Sequence, residues 1–297
     1  MAPALAVDLL ERCTFPPPGH PARCAVSGGA DSLALLVLAA AAGCSVTAVH
    51  VDHGLRPDGA REAEVVAAAA RRWGAGFESH RVHVGAGPNL EARARRARWE
   101  VLGPGALTGH TADDQVETVL LNLLRGAGLD GLGGMAPERH PLLGLRRRET
   151  RALCRAEGLE PVADPTNDDP AHRRNRVRAE LVPLASSIAC RDVTPLVARQ
   201  AAILREEAAY LDGLAAALDP SRAEVLAAAP PVLARRAVRR WLRAGRAHPP
   251  DAAAVARVLD VAAGRARAAE VGGGRRVRRR RGRLVLEGPA PPPVGGP

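Results

Sequence analysis

The stretch CAVSGGADSLALL, residues 24–36, decides how the chain is to be read. A short apolar run at Arg23–Val26 predicts a strand, a Ser-Gly-Gly turn follows, and an Ala/Leu helix is predicted from Asp31 to Ala42. Gly28 and Gly29 let the main chain turn sharply and approach an anion with no Cβ in the way. The helix start then offers free N–H groups at the positive end of its dipole. Ser27 and Ser32 add hydroxyl donors. Asp31 would repel a bare phosphate, so it either holds Mg²⁺ or caps the helix. The turn lacks the Gly-Lys-Ser/Thr ending of a Walker loop and the three-glycine spacing of dinucleotide folds.

Outward from this turn, strand and helix patterns alternate. Ser45–Val51, Phe77–Val84 and Ala106–Gly109 read as strands. Asp58–Trp73, Asn89–Val101 and Asp113–Leu124 read as helices. Such alternation predicts an α/β fold with a parallel sheet covered on both faces. Right-handed crossovers put every strand's C-terminal end on one edge, where ligands of such sheets bind. The glycine-dense GAGLDGLGGM that follows Arg125 reads as a loop or tight corner. From Thr194 the pattern is helical almost throughout, over 194–218, 222–228, 231–243 and 251–262. A hairpin is predicted at Arg275–Arg281 with Leu284–Glu287. The expected division is a catalytic domain at 1–190, a smaller, mainly helical Arg-rich domain at 191–287, and a disordered tail at 288–297.

The 297 residues carry a formal net charge of +10, and all 42 basic residues are Arg. Codon bias accounts for the missing Lys but not for the excess charge, which fits a polyanionic partner. Five scattered cysteines, never spaced C-x-x-C, argue against a disulfide scaffold, a zinc ribbon or an iron–sulfur site. No apolar run reaches 18 residues, and Asp8 and Glu11 interrupt the N-terminal apolar stretch. Neither a membrane span nor a signal peptide is expected, and the predicted location is the cytoplasm.

Asp113, Asp114 and Glu117 open a predicted helix. Their spacing puts Glu117 on the same face as both aspartates. The helix dipole offsets part of their repulsion, and a cation among them would offset more. The bland alternative is a set of exposed acids at a helix N-terminus. His50, Asp52 and His53 end the second strand, on the ligand-binding edge, with no third metal ligand at fitting spacing. His80 and His83 read as structural. Arg173, Arg174, Asn175, Arg176 and Arg178 form a dense basic group. Arg275–Arg283 holds seven Arg in nine residues. That run fits contact with an RNA backbone or, equally, an unstructured basic tail.

The turn resembles the PP-loop, S-G-G-x-D-S, of the ATP pyrophosphatase superfamily, whose members split ATP between its α and β phosphates and leave an adenylated substrate. Further blocks follow in order: VDHGLRP (51–57), NLEARARRARWEVL (89–102), GHTADDQVETVLLNLLRGAGLDGLGGM (109–135), PLLGLRRRETRAL (141–153) and DPTNDDPAHRRNRVRAELVP (164–183). Over roughly residues 20–185 the chain is similar to the tRNA(Ile)-lysidine synthetase family. That resemblance implies adenylation of carbon 2 of the wobble cytosine in a tRNA(Ile) with a CAU anticodon. The ε-amine of free L-lysine then displaces AMP. It implies nucleotide binding by Ser27, Gly28, Gly29, Ala30, Asp31, Ser32, His50, Asp52 and His110. Catalysis would fall to Asp31, Asp113, Asp114 and Glu117, with Mg²⁺ on Asp31 and Asp113. Contact with phosphate or tRNA would fall to Arg95, Arg98, Arg125, Arg174, Asn175 and Arg178.

The region after 194 matches the family only loosely. A homodimer is neither required nor excluded. The rival readings are a PP-loop tRNA thiolase, which would need cysteine pairs, and a PP-loop amide synthetase, which would not need an Arg-rich helical domain. A non-catalytic RNA-binding module is a third, and the intact acidic residues count against it.

Overall fold

A computed structural model describes residues 4–52, 54, 59–82, 90–162, 169, 172–244 and 250–288. In the first unit, Met1–Arg205, helix α1 (Ala4–Leu10) precedes a repeated strand–helix pattern. Its members are β1 (Pro21–Ala25), α2 (Ala30–Ala41), β2 (Ser45–Asp52), α3 (Gly59–Arg72), β3 (Gly76–Arg81), α4 (Leu90–Leu102), β4 (Leu107–Thr108) and α5 (Ala112–Leu124). Short helices α6 (Leu129–Leu132), α7 (Arg147–Ala156) and α8 (Arg173–Arg176) follow. A π-helical turn at Val177–Leu181 leads into α9 (Val182–Ile188) and then the long α10 (Thr194–Ala216). His53 and most of residues 163–171 lie outside the described residues, as does the tail from 289.

All four strands run parallel, in the order β3-β2-β1-β4. Alternation along the strands assigns the two faces. Ala22, Cys24, Val46 and Ala48 join the larger core with α2, α3 and α7, while Val49 packs with Leu102 and Ala106 on the other face. Leu33–Ala39 of α2 is buried all round, at 0% exposure, so this helix is interior and needs no polar stripe.

The strand order reverses at β1. The chain leaves β1 toward β2 and β3, and returns through α4 to lie on β1's other side as β4. The loops leaving β1 and β4 therefore diverge from a shared crevice, the place where doubly wound sheets bind ligands. They also touch: a Cβ on Gly109, after β4, would collide with the main-chain carbonyl of Asp31, after β1. Only glycine permits that approach.

The second unit begins at Glu206, inside α10, while the division expected from sequence at 190/191 falls in the turn between α9 and α10. It contains α11 (Ala223–Ala228), α12 (Pro231–Arg243), α13 (Ala252–Ala262) and an antiparallel sheet of β5 (Ala268–Glu270), β6 (Arg276–Arg280) and β7 (Arg283–Glu287). The helices and the hairpin are as expected, and a third strand, β5, adds to the hairpin. Ala268–Glu270 carries no strand signal of its own and pairs with β6 in register Ala269↔Val277. Its core holds Ala237, Val238, Leu242, Val258, Val261 and Val277, all at 0% exposure.

Candidate active site

Gly28 sits at φ +84°, a conformation glycine adopts without strain. Its carbonyl accepts from Val162 N at 3.0 Å. Ser32 braces the turn: its Oγ donates to the Gly29 carbonyl at 2.8 Å and accepts from the main-chain N–H of Ser27 at 3.1 Å. Ala30 and Asp31 open α2, with Gly29 as the N-cap. Asp31 is thus not the helix cap; its carboxylate turns toward Thr150 and Arg147.

Helix α5 starts with a capping box. Asp114 Oδ2 accepts from Thr111 N at 2.9 Å and from Thr111 Oγ at 2.8 Å, which fixes the carboxylate at the helix start. One turn on, Glu117 is 1% exposed. A buried carboxylate needs counter-ions, and α7, α8 and the π-helical turn supply them. Arg147 Nη2 lies 2.9 Å from Asp114 Oδ1 and 3.4 Å from Glu117 Oε1, and its Nε lies 3.4 Å from Asp31 Oδ2. Arg174 reaches Glu117 Oε2 at 2.6 Å and Asp114 Oδ1 at 3.1 Å, and Arg178 reaches Glu117 Oε1 at 2.7 Å. Arg146 forks onto Asp113 with two bonds of 3.1 Å, and the Arg147 main-chain N–H adds a third at 2.8 Å. Thr150 Oγ donates to Asp31 Oδ1. A single guanidinium therefore joins the anion-binding turn to the acidic helix. The two are near enough for one ligand to bridge.

The carboxyls differ in their titration. Burial holds Asp31 above the usual carboxylate range; Asp114 adds to that, while Thr150 and Arg147 oppose it. Burial pushes Asp113 and Asp114 the same way, but arginines win: Arg146 and the Arg147 N–H depress Asp113, and Arg147 and Arg174 depress Asp114. A cavity of about 430 Å³ opens beside them, lined by Asp113, Glu117, Arg146, Arg147, Arg178, Ser186, Asp192 and Thr194 among others.

His110 lies next to this cluster. Thr108 Oγ stands 2.6 Å from Nδ1 of both His110 and His140, whose rings meet edge-on with centroids 4.8 Å apart. One hydroxyl proton serves only one of them, so the other ring donates to the hydroxyl and the pair adopts different tautomers. Burial, with a smaller contribution from Arg95, pushes both histidines down to about 4. Burial also lowers Arg98, whose Nε has no hydrogen-bond partner among the described residues.

Other expected residues lie elsewhere. His50 is 1% exposed, with Nδ1 3.3 Å from Ser79 Oγ, so its side chain belongs to the interior. Asp52 accepts from Gly54 N at 2.7 Å and braces a turn. Arg125 is exposed at the C-cap of α5, about 16 Å along the helix from Asp114. Asn175 donates to the Asp169 carbonyl at 2.8 Å. Arg174 and Arg178, expected on phosphate or tRNA, pair with Glu117. Arg146, Arg147 and Thr150 carry much of the network. The run LRRRET lay in plain view, but only helix phase reveals which arginines turn inward.

A turn and acidic helix of this kind, at the reversal point of a parallel sheet, define a PP-loop nucleotide-binding protein. The family model for the PP-loop domain matches residues 11–185, and that for the TilS substrate binding domain matches residues 222–285. The chain is 46% identical over 237 residues to the tRNA(Ile)-lysidine synthase of Nocardia farcinica, covering 73% of this chain and 74% of that one. It is 42% identical over 285 residues to the enzyme of that name in Rhodococcus opacus, covering 88% and 87%. The U34-tRNA thiolase NcsA from Methanococcus maripaludis superposes with a TM-score of 0.52 at 16% identity, over 68% of this chain and 78% of that one, which shows a shared fold. The chain belongs to the tRNA(Ile)-lysidine synthase family.

Proposed function

We propose that the chain is an ATP-dependent ligase that makes lysidine at the wobble cytidine of tRNA(Ile) with a CAU anticodon. The observation that carries this reading is the Arg147 bridge from Asp31 to Asp114 and Glu117, which brings the phosphate cradle and the acidic helix within reach of one ligand. ATP would lie with its phosphates against the main chain of Ser27–Ser32. The cytosine O2 attacks the α-phosphorus and pyrophosphate leaves. The lysine ε-amine then attacks carbon 2, the C–O bond breaks, and AMP departs with the oxygen. The amine must lose a proton, and a carboxylate of the Asp113, Asp114 and Glu117 cluster would take it. Free L-lysine would take the cavity beside Asp113 and Glu117, with its ammonium toward those carboxylates and its own carboxylate toward Arg146 and Arg178.

The residues also fit a magnesium ion. Mg²⁺ usually takes one or two protein carboxylates plus phosphate oxygens and water, and Asp31 is a desolvated carboxylate at the phosphate turn with only Thr150 and a 3.4 Å contact to Arg147. Asp31 would hold the ion, with Asp113 as second ligand only if it gave up part of the Arg146 fork. When bound, the ion supplies charge neutralisation at the phosphates. The basic second unit would hold the tRNA.

Incubation with ATP, Mg²⁺, labelled lysine and tRNA(Ile) bearing a CAU anticodon tests the reading. Label should enter the tRNA as AMP appears. Release of ADP would exclude the chemistry, and AMP without label transfer would favour another PP-loop substrate.

A further inference from the structure

Helix α7 packs on α2, the helix that opens from the phosphate turn. Arg147, Thr150 and Cys154 recur at i, i+3 and i+7 and so share one face of α7. All three reach the first turn of α2. Cys154 Sγ donates to the Ala30 carbonyl at 3.3 Å, Thr150 Oγ donates to Asp31 Oδ1, and Arg147 Nε lies 3.4 Å from Asp31 Oδ2. The two oxygens of one carboxylate are thus held by two different residues. The Asp31 side chain is 26% exposed, so part of it stays open to a ligand.

Packing alone does not call for a hydroxyl at position 150. Thr150 is 0% exposed, and the same helix gives Leu153 and Cys154 to the main core. A valine has the same shape, and a buried hydroxyl costs free energy unless it is bonded. The hydroxyl lies 2.8 Å from the Arg147 carbonyl, three residues back. That back-bond selects one of the two rotamers a helical threonine uses, and in this rotamer the same oxygen meets Asp31. The consequence falls on Arg147. A guanidinium beside a carboxylate tends to close on it as a two-bond fork. Arg146 and Asp113 form such a fork, with both bonds at 3.1 Å. Arg147 makes one long contact to Asp31 and places its Nη2 on Asp114 and Glu117.

We propose that Thr150 is a positioning residue for the divalent cation that accompanies ATP: its hydroxyl keeps Oδ1 of Asp31 out of a fork with Arg147 and holds the carboxylate available to the ion, an inference that rests on the ATP reading above. Without the hydroxyl, Arg147 takes both oxygens, and an incoming cation has to break that pair. Thr150 acts through Asp31 and not on the nucleotide itself.

The test follows binding of a fluorescent ATP analogue to the full chain as Mg²⁺ is titrated at fixed nucleotide, for wild type, T150V, T150A, T150S and C154A. Both hydroxyl-free variants should raise the Mg²⁺ concentration at half-saturation by about tenfold, the loss expected for a hydrogen bond to a charged group. T150S keeps the hydroxyl and should keep the wild-type midpoint. C154A loosens the same helix face without touching Asp31, and should leave the midpoint in place whatever happens to its melting temperature. In the double variant T150V/R147M the competing guanidinium is gone, so the midpoint should return toward that of wild type. An unchanged midpoint in T150V and T150A overturns the proposal, even if their melting temperatures fall. A shift in C154A as large as theirs also overturns it, because a loosened helix would then suffice. Wild type that binds no nucleotide, or binds it equally with and without Mg²⁺, removes the ATP reading and this inference with it. Mg²⁺-dependent wild type beside unchanged variants removes the role of Thr150 alone.

Discussion

Replacing Arg147 by Met would test whether one guanidinium holds the site together. Met keeps much of the stem and removes the charge. The side chain of Arg147 is 17% exposed and meets Asp31, Asp114 and Glu117, and its main-chain N–H to Asp113 survives the change. Glu117 would keep Arg174 and Arg178, and Asp114 would keep Arg174 and Thr111. Among the described residues Asp31 would keep only Thr150, so the uncompensated charge falls there. Removing one partner of a buried ion pair costs about 3 to 5 kcal/mol. With two of the three carboxylates still paired, the low end applies, about 3 kcal/mol. For a unit of this size that lowers Tm by roughly 6 to 12 °C. The pH dependence has a definite sign. In the variant the Asp31 carboxyl, already above its unfolded value, rises further, so acid favours the folded variant. In the wild type Asp113 and Asp114 are depressed, and the stability they contribute is lost as pH falls through their folded values. The Asp31 trend narrows the gap between the proteins as pH falls from 7 toward 4, and the loss of the Arg147 contribution to Asp114 adds to it only below about 4. Thermal melts at several pH values read this directly. A Tm loss under about 2 °C, or a gap that does not change with pH, would refute the reasoning.

Gly28→Ala forces a side chain onto φ +84°, at a cost of about 1 to 2 kcal/mol. The turn should distort, with KM for ATP raised and the fold retained, and ATP titration of the purified variant checks it. Because His110 and His140 are pushed down to about 4, the unfolded chain takes up protons that the folded one refuses, so stability falls as pH drops from about 6.5 to 4. His140→Gln should flatten that slope in urea unfolding; an unchanged slope would show that His140 contributes nothing to it. Burial pushes the Cys24 thiol up to about 12 and Cys154 to about 11, while Cys190 is exposed. Iodoacetamide on the native protein should therefore modify Cys190 first, and early labelling of Cys24 by mass spectrometry would contradict the core described here.

Local chemistry was legible without coordinates. A strand, two glycines and a helix start within ten residues make an anion-binding turn whatever surrounds them, because free N–H groups and glycine's backbone freedom act over a few bonds. The acidic spacing of Asp113, Asp114 and Glu117 and the alternating strand and helix patterns are equally short-range. Tertiary structure decided the remainder. The order β3-β2-β1-β4 brings Gly109 against Asp31, and the packing of α7 on α2 carries Arg147 and Thr150 to a carboxylate more than a hundred positions away. Nothing in LRRRET tells which arginine faces inward, since that depends on helix phase relative to a partner distant in sequence. The same holds for the basic hairpin, where composition counts charges but only packing shows that Arg275 and Arg279 point at main-chain carbonyls. Charge is a property of the residue, whereas its availability is set by the neighbours that burial brings together.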